Sequence, residues 1–208
     1  MLDIWEANLD ATGWPPQEEL PEEERARTER QLRPLSQRRW TAARWALRGI
    51  LAGYLGSEPA AVELRVDDGG KPRLADPVAG LRFNLSHSHG LGLVAVASER
   101  EVGVDVEWID PERDFEALAR RMLDPGEIEA LRSASADSQP EVFYAAWARR
   151  EALGKCLGVG LASAPAGRSA AVADLEMRPG FAGAVAIEAA TVPPLRRLTI
   201  GSDLSPVS

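Results

Sequence analysis

Apolar and polar positions change period several times along the chain. Residues 1–20 keep no sustained period, and Gly13, Pro15 and Pro16 break the chain, so this stretch reads as irregular. A charged helix begins at Pro21. Glu22, Glu23 and Glu24 stand in its first turn, where acidic groups suit the helix dipole. Pro34 interrupts it, and Ser36 reads as the N-cap of a second helix. There Trp40, Ala43, Leu47, Ile50, Leu51 and Tyr54 recur at helical spacing and form one apolar stripe, which Gly56 ends.

The period then drops to two. Val62, Leu64 and Val66 alternate with Glu63 and Arg65, as in a half-buried strand, and Asp67-Asp68-Gly69-Gly70 is a turn before Lys71-Pro72. Three strands follow in close order: Leu81 to Ser86, Leu91 to Ala97 and Val102 to Glu107, turned at His89-Gly90 and Ser98 to Glu101. Turns this short predict an antiparallel meander. A meander would bring the ends of its first and third strands to one sheet edge, with Ser86 and His87 near Asp105 and Glu107. Asp114 to Met122 reads as a helix. Asp124-Pro125-Gly126-Glu127 is a helix start with a reciprocal cap. Ser133 to Gln139 is a polar loop, and Pro140 opens a long helix through Leu157, closed by Gly158 and Gly160. Strands are expected over Ala171 to Met177, Ala184 to Ala189 and Leu195 to Ile200, with a Pro179-Gly180 turn. Each half thus offers helices followed by strands.

Composition narrows the chemistry. The 208 residues, 45% hydrophobic and 27% charged, suit one large or two small folded domains. A net charge of −8 and an aromatic share of 6% argue against a basic nucleic-acid binder. No apolar run reaches the roughly 18 residues of a membrane span, and the first residues lack the pattern of a signal peptide. One cysteine, Cys156, fits a reducing cytoplasm. With two histidines and one cysteine, a zinc site of the common kinds is excluded. Metal chemistry would rest on carboxylates and take magnesium, manganese or calcium.

Carboxylates stand together at Val102-Gly103-Val104-Asp105-Val106-Glu107. Side chains alternate along a strand, so the valines share one face and Asp105 and Glu107 the other, their α-carbons about 6.6 Å apart. Two such carboxylates repel, and a divalent ion would neutralise both. The plainer reading is an acidic pair facing solvent. A second group is Trp147-Ala148-Arg149-Arg150-Glu151-Ala152-Leu153-Gly154-Lys155. Glu151 and Lys155 are four apart and share a helix face. They read either as a surface pair or as a metal ligand or base beside a phosphate contact. The third is Asn84-Leu85-Ser86-His87-Ser88-His89. A Ser/His/Asp triad is disfavoured there, because the Gly-x-Ser-x-Gly turn is missing.

These segments together resemble the 4'-phosphopantetheinyl transferases, in their Sfp-type branch. The resemblance runs through Gly70-Lys71-Pro72, Phe83-Asn84-Leu85-Ser86-His87-Ser88, Gly103-Val104-Asp105-Val106-Glu107, and Trp147 with Arg150-Glu151-Ala152, Lys155 and Gly158-x-Gly160-Leu161. It implies an α+β fold of two similar halves in a pseudo-twofold arrangement, residues 1–101 and 102–208, the second carrying the metal motifs. The implied activity moves the phosphopantetheine arm of coenzyme A, the substrate, to a serine of an apo acyl or peptidyl carrier protein. The other product is adenosine 3',5'-bisphosphate. By the same resemblance, Asp105, Glu107 and Glu151 hold magnesium, with manganese as the substitute. Glu151 is the base for the serine, and Lys155 neutralises pyrophosphate. Lys71, Pro72, Ser86 and His87 hold the nucleotide end and its phosphates. Arg44, ahead of Arg38 and Arg39, reaches the 3'-phosphate. The protein is expected to be a cytoplasmic monomer that binds neither nucleic acid nor membrane.

The sequence departs from the family pattern in two places. Lys-Glu-Ala becomes Arg150-Glu151-Ala152, and the Arg-Phe-Phe after the metal strand becomes Arg121-Met122-Leu123. Two other readings use the same residues: a carboxylate-metal phosphodiesterase or nuclease, and a non-catalytic protein that binds coenzyme A or a carrier.

Overall fold

The computed structural model describes residues 1–67, 70–76, 80–159 and 169–207. The chain is of mixed α+β class and divides into two compact units. One comprises residues 1–99 with the segment from Pro193, and the other runs from Arg100 to Val192.

In the first unit, β1 (Leu2–Asn8) lies at the middle of a five-stranded sheet with β4 (Leu81–Ser88), β5 (Leu91–Ser98), β9 (Arg196–Ile200) and β10 (Pro206–Val207). Its order is β10-β9-β1-β5-β4, antiparallel except for the β1/β9 pair. The sequence pattern predicted irregular chain where β1 runs. Leu2, Ile4 and Trp5 are all buried, and so is Asp3, so no in–out alternation marks the strand. Asp3 is buried because Arg196 donates to both its oxygens and Tyr54 donates its hydroxyl proton to one of them. The tail also differs from expectation. The division at residue 101 grouped 102–208 together, whereas β9 pairs in register with β1, Ile4 opposite Arg197 and Trp5 opposite Leu198.

The helices of this unit are α1 (Glu22–Glu29) and α2 (Pro34–Leu55). Pro34 opens α2 and does not merely interrupt an earlier helix. A proline at the first helical position loses no hydrogen bond and has its φ already set. Ser36 therefore lies inside the first turn, and Arg33 is the N-cap. Leu47, Ile50 and Leu51 pack with Trp5, Phe83, Val94, Val96 and Ile200 in the main core. Full burial of each such side chain contributes about 1.5–3 kcal/mol. Glu24 of α1 accepts from Arg44 and Arg48 of α2, and all three are buried. Arg48 also donates to the carbonyls of Pro59 and Val62 at 3.1 and 2.9 Å. A short hairpin, β2 (Leu64–Val66) and β3 (Pro72–Leu74), completes the unit. Asp68 and Gly69 of the predicted turn lie outside the described residues.

In the second unit, β6 (Val102–Trp108) pairs antiparallel with β8 (Phe181–Ile187), which pairs antiparallel with β7 (Ala171–Leu175). The predicted meander fails here. β5 is flanked by β1 and β4, and β6 takes its partners about 80 residues further on, Val102 opposite Ile187 and Asp105 opposite Ala184. A short connection permits a hairpin without requiring one, and the meander argument for grouping Ser86 and His87 with Asp105 and Glu107 falls with it. The helices are α3 (Glu116–Met122), α4 (Pro125–Ser133) and α5 (Gln139–Leu157). The cap of α4 forms as predicted: Glu127 N–H donates to Asp124 at 2.9 Å, and Asp124 N–H donates to Glu127 at 3.1 Å. Gly158 ends α5 at φ +72, a left-handed conformation that glycine adopts without strain. Gly160 and Leu161 lie outside the described residues.

Candidate active site

Gly103, Asp105 and Glu107 share the face of β6 that meets α5. The approach is close because residue 103 has no side chain. A Cβ there would overlap the carbonyl oxygen of Ala152 and the amide nitrogen of Cys156. Ala148, Ala152 and Cys156 of α5 pack on Ala184 and Ala186 of β8, so small residues on both sides let helix and sheet approach. The neighbouring stripe of α5, Trp147, Glu151 and Lys155 at spacings of four, then lies over the acidic strand.

Two bonds tie this stripe to β6. Lys155 Nζ donates to Asp105 Oδ1 at 2.6 Å, and Trp147 Nε1 donates to Glu107 Oε1 at 3.1 Å. Asp105 is only 3% exposed, which removes the reading of a solvent-facing pair. Burial and then the charge of Asp105 push the Glu107 carboxyl up to about 6, with a smaller push from Glu151; Trp147 and Lys155 oppose the rise. Glu151 is raised by burial and by Asp105, and Lys155 again opposes. Among the described residues, three carboxylates on two elements therefore feel one another beside the Lys155 ammonium. Among the described residues, no three His, Cys, Asp or Glu side chains are drawn together as a ready metal cage. The donor chemistry nevertheless fits a hard divalent cation, since every candidate ligand is a carboxylate oxygen and the local charge is surplus negative.

The remaining predicted site residues lie in the first unit. The Lys71 backbone N–H donates to Asp67 at 2.9 Å, and Pro72 opens β3. Ser86 and His87 are neighbours on β4, so their side chains leave opposite faces; Ser86 is buried and His87 exposed. Arg44 corrects an expectation. Its guanidinium is buried, bound to Glu24 and placed over the Trp40 ring at 5.5 Å, which suits holding α1 to α2 and not reaching a phosphate. Arg39 is bound to Asp10 at 2.7 Å, and Arg38 is exposed.

Sequence reasoning passed over the roles of Gly103 and Trp147. The spacing 147, 151, 155 places Trp147 on the Glu151 stripe, and a glycine among valines on a strand marks a close approach.

Residues 101–191 match the family model of the 4'-phosphopantetheinyl transferase superfamily. The chain is 44% identical over 145 residues to the 4'-phosphopantetheinyl transferase HetI of Nostoc sp., covering 69% of this chain and 61% of that protein. It is 35% identical over 143 residues to a putative 4'-phosphopantetheinyl transferase of Synechocystis sp., covering 68% and 58%. Against the L-aminoadipate-semialdehyde dehydrogenase-phosphopantetheinyl transferase of Rattus norvegicus it is 32% identical over 130 residues, covering 58% and 42%. The chain thus spans about six-tenths of the length of the first two relatives. The matched region carries both β6 and α5, and through it the chain belongs to the 4'-phosphopantetheinyl transferase superfamily.

Proposed function

We propose that the protein transfers the 4'-phosphopantetheine arm of coenzyme A to a serine of an apo acyl or peptidyl carrier protein, leaving adenosine 3',5'-bisphosphate. The observation that carries this reading is the docking of α5 on β6, which sets Glu151 and Lys155 over Asp105 and Glu107. Asp105, Glu107 and Glu151 would hold magnesium, or manganese on the same donors. Such an ion supplies charge neutralisation to a pyrophosphate. Glu151 takes the proton of the carrier serine. Lys155, held by Asp105 and partly exposed, offers its ammonium to the pyrophosphate oxygens. Lys71, Pro72, Ser86 and His87 remain our candidates for the nucleotide end, and the exposed Arg38 replaces Arg44 for the 3'-phosphate. We read the protein as a cytoplasmic monomer. No described helix is long and apolar enough to cross a membrane.

The test is to incubate the protein with coenzyme A, magnesium and an apo carrier, then weigh the carrier. The carrier gains one phosphopantetheine, and Glu151→Gln slows the gain by about 10²–10⁴-fold. A carrier that never changes mass, or full activity after removal of divalent metal, defeats the reading. The nuclease and binding-only alternatives both predict an unchanged carrier.

A further inference from the structure

We propose that Glu127 is a positioning residue, which through Arg150 fixes the rotation of α5 and so the aim of Glu151 and Lys155; this rests on the transferase reading above. The two ends of α5 are held differently. Its first half is anchored by a large ring: Phe143 stacks on Phe115, just ahead of α3, with centroids 4.9 Å apart. Its second half lies on Ala184, Ala186 and Gly103 through Ala148, Ala152 and Cys156. Small side chains fix how closely a helix approaches but offer few ridges to lock its rotation. Glu151 and Lys155 are on that second half.

The restraint comes from the residue just before Glu151. Arg150 Nε donates to Glu127 Oε2 at 2.9 Å, its Nη2 lies 2.7 Å from the same oxygen, and Asp124 Oδ2 is 3.4 Å away. That oxygen also accepts the Asp124 N–H in the cap of α4, so the carboxylate is ordered before Arg150 arrives. An isolated surface pair must order both partners and gains little; here one partner is already fixed. Arg149 adds a weaker tether, donating to both oxygens of Asp174 on β7 at 3.0 and 3.1 Å, with Glu127 Oε1 at 3.9 Å. The helix is thus fastened to α4 and β7 at the two positions that precede the base. A small turn of α5 would swing Glu151 away from Asp105, and misplacements of about 1 Å are costly in catalysis.

The test uses the full chain with four substitutions: Glu127→Gln, Arg150→Gln, the two combined, and Arg150→Lys. Gln at 127 can still cap α4, so melting should move by no more than about 2–4 °C. Each single glutamine variant should lower kcat on the order of tenfold, with KM for coenzyme A moved less than about twofold. The double variant should lose no more than either single one, because both break the same link. Arg150→Lys keeps a cation and should retain most activity. In parallel, the indole N–H resonance of Trp147, assigned through Trp147→Phe, should shift in both single variants and stay in place in Arg150→Lys. Wild-type turnover in the single variants, or losses that multiply in the double one, would overturn the proposal. If the wild-type protein loads no carrier, the transferase reading fails, and the indole resonance decides positioning alone: a shift upholds it and an unmoved resonance ends it.

Discussion

Glu24 on α1 and Asp105 on β6 are both buried carboxylates met by basic side chains from a long helix, yet their surroundings are opposite in charge. Glu24 faces two guanidiniums, Arg44 and Arg48. The surplus positive charge is spread over backbone carbonyls at Pro59, Ala60 and Val62 and over the face of Trp40. Among the described residues Asp105 faces the ammonium of Lys155, while Glu107 and Glu151 add negative charge beside it. Burial first, and then the charge of Asp105, pushes both glutamates upward. A matched buried ion cluster holds two elements together. Among the described residues, the other sets three carboxylates against one cation, and our proposal of a divalent ion rests on that balance.

The largest expected effect sharpens this contrast through stability alone. Glu24→Gln leaves two guanidiniums buried without a counter-charge and should cost about 3 kcal/mol or more, since breaking a buried pair from one side is strongly destabilising. Asp105→Asn keeps an oxygen for Lys155 and removes the charge that repels Glu107 and Glu151. It should cost no more than about 1 kcal/mol while abolishing transfer. Denaturant titration of both variants decides the matter. Equal losses would mean that Asp105 is as structural as Glu24.

The same contrast explains what the sequence made legible. Helix periodicity over Trp40 to Tyr54 and the Asp124/Glu127 cap are local signals, and the structure repeats them. The pairing of Glu151 with Lys155 on one face of α5 follows from spacing alone. β1 escaped notice because Asp3 sits inside the core on partners at 54 and 196, which no window of sequence brings together. The placement of β6 beside β8 escaped for the same reason, and with it the fact that Asp105 faces a helix and not solvent. Arg44 was misjudged because an arginine in a helix reads as surface until its counter-charge, here twenty residues upstream, is found.

A smaller effect is expected at Gly103, where packing and site geometry meet. Gly103→Ala sets a methyl group against the Ala152 carbonyl and the Cys156 amide, both backbone atoms that cannot swing aside. Overpacking of this kind costs about 1–3 kcal/mol. The helix must lift from β6, lengthening the Lys155–Asp105 bond, so activity should fall further than the loss of folded protein explains. Rates measured well below the melting temperature, together with melting curves, separate the two effects. A variant of lower stability but normal turnover would show that the site tolerates a displaced α5.

The smallest effect is a pH dependence that belongs to the unmatched cluster. Glu107 titrates at about 6 in the folded chain against an ordinary value of 4.5, first because it is buried and next because Asp105 stands beside it. Between those values the folded protein keeps a proton that the unfolded chain has released. Unfolding free energy therefore falls as pH rises through this window. The contribution is fully present below about pH 4.5 and is lost above about pH 6. Glu151, raised for the same reasons, acts in the same direction. Melting temperatures from pH 4 to 8 without added divalent cation, for wild type and Glu107→Gln, isolate the effect, because the glutamine has no proton to lose. The difference between the two curves should open between pH 4.5 and 6, with the variant relatively more stable at the higher pH. A constant difference would mean that Glu107 is not held against a surplus of negative charge. The contrast between Glu24 and Asp105 would then be one of position and not of charge balance.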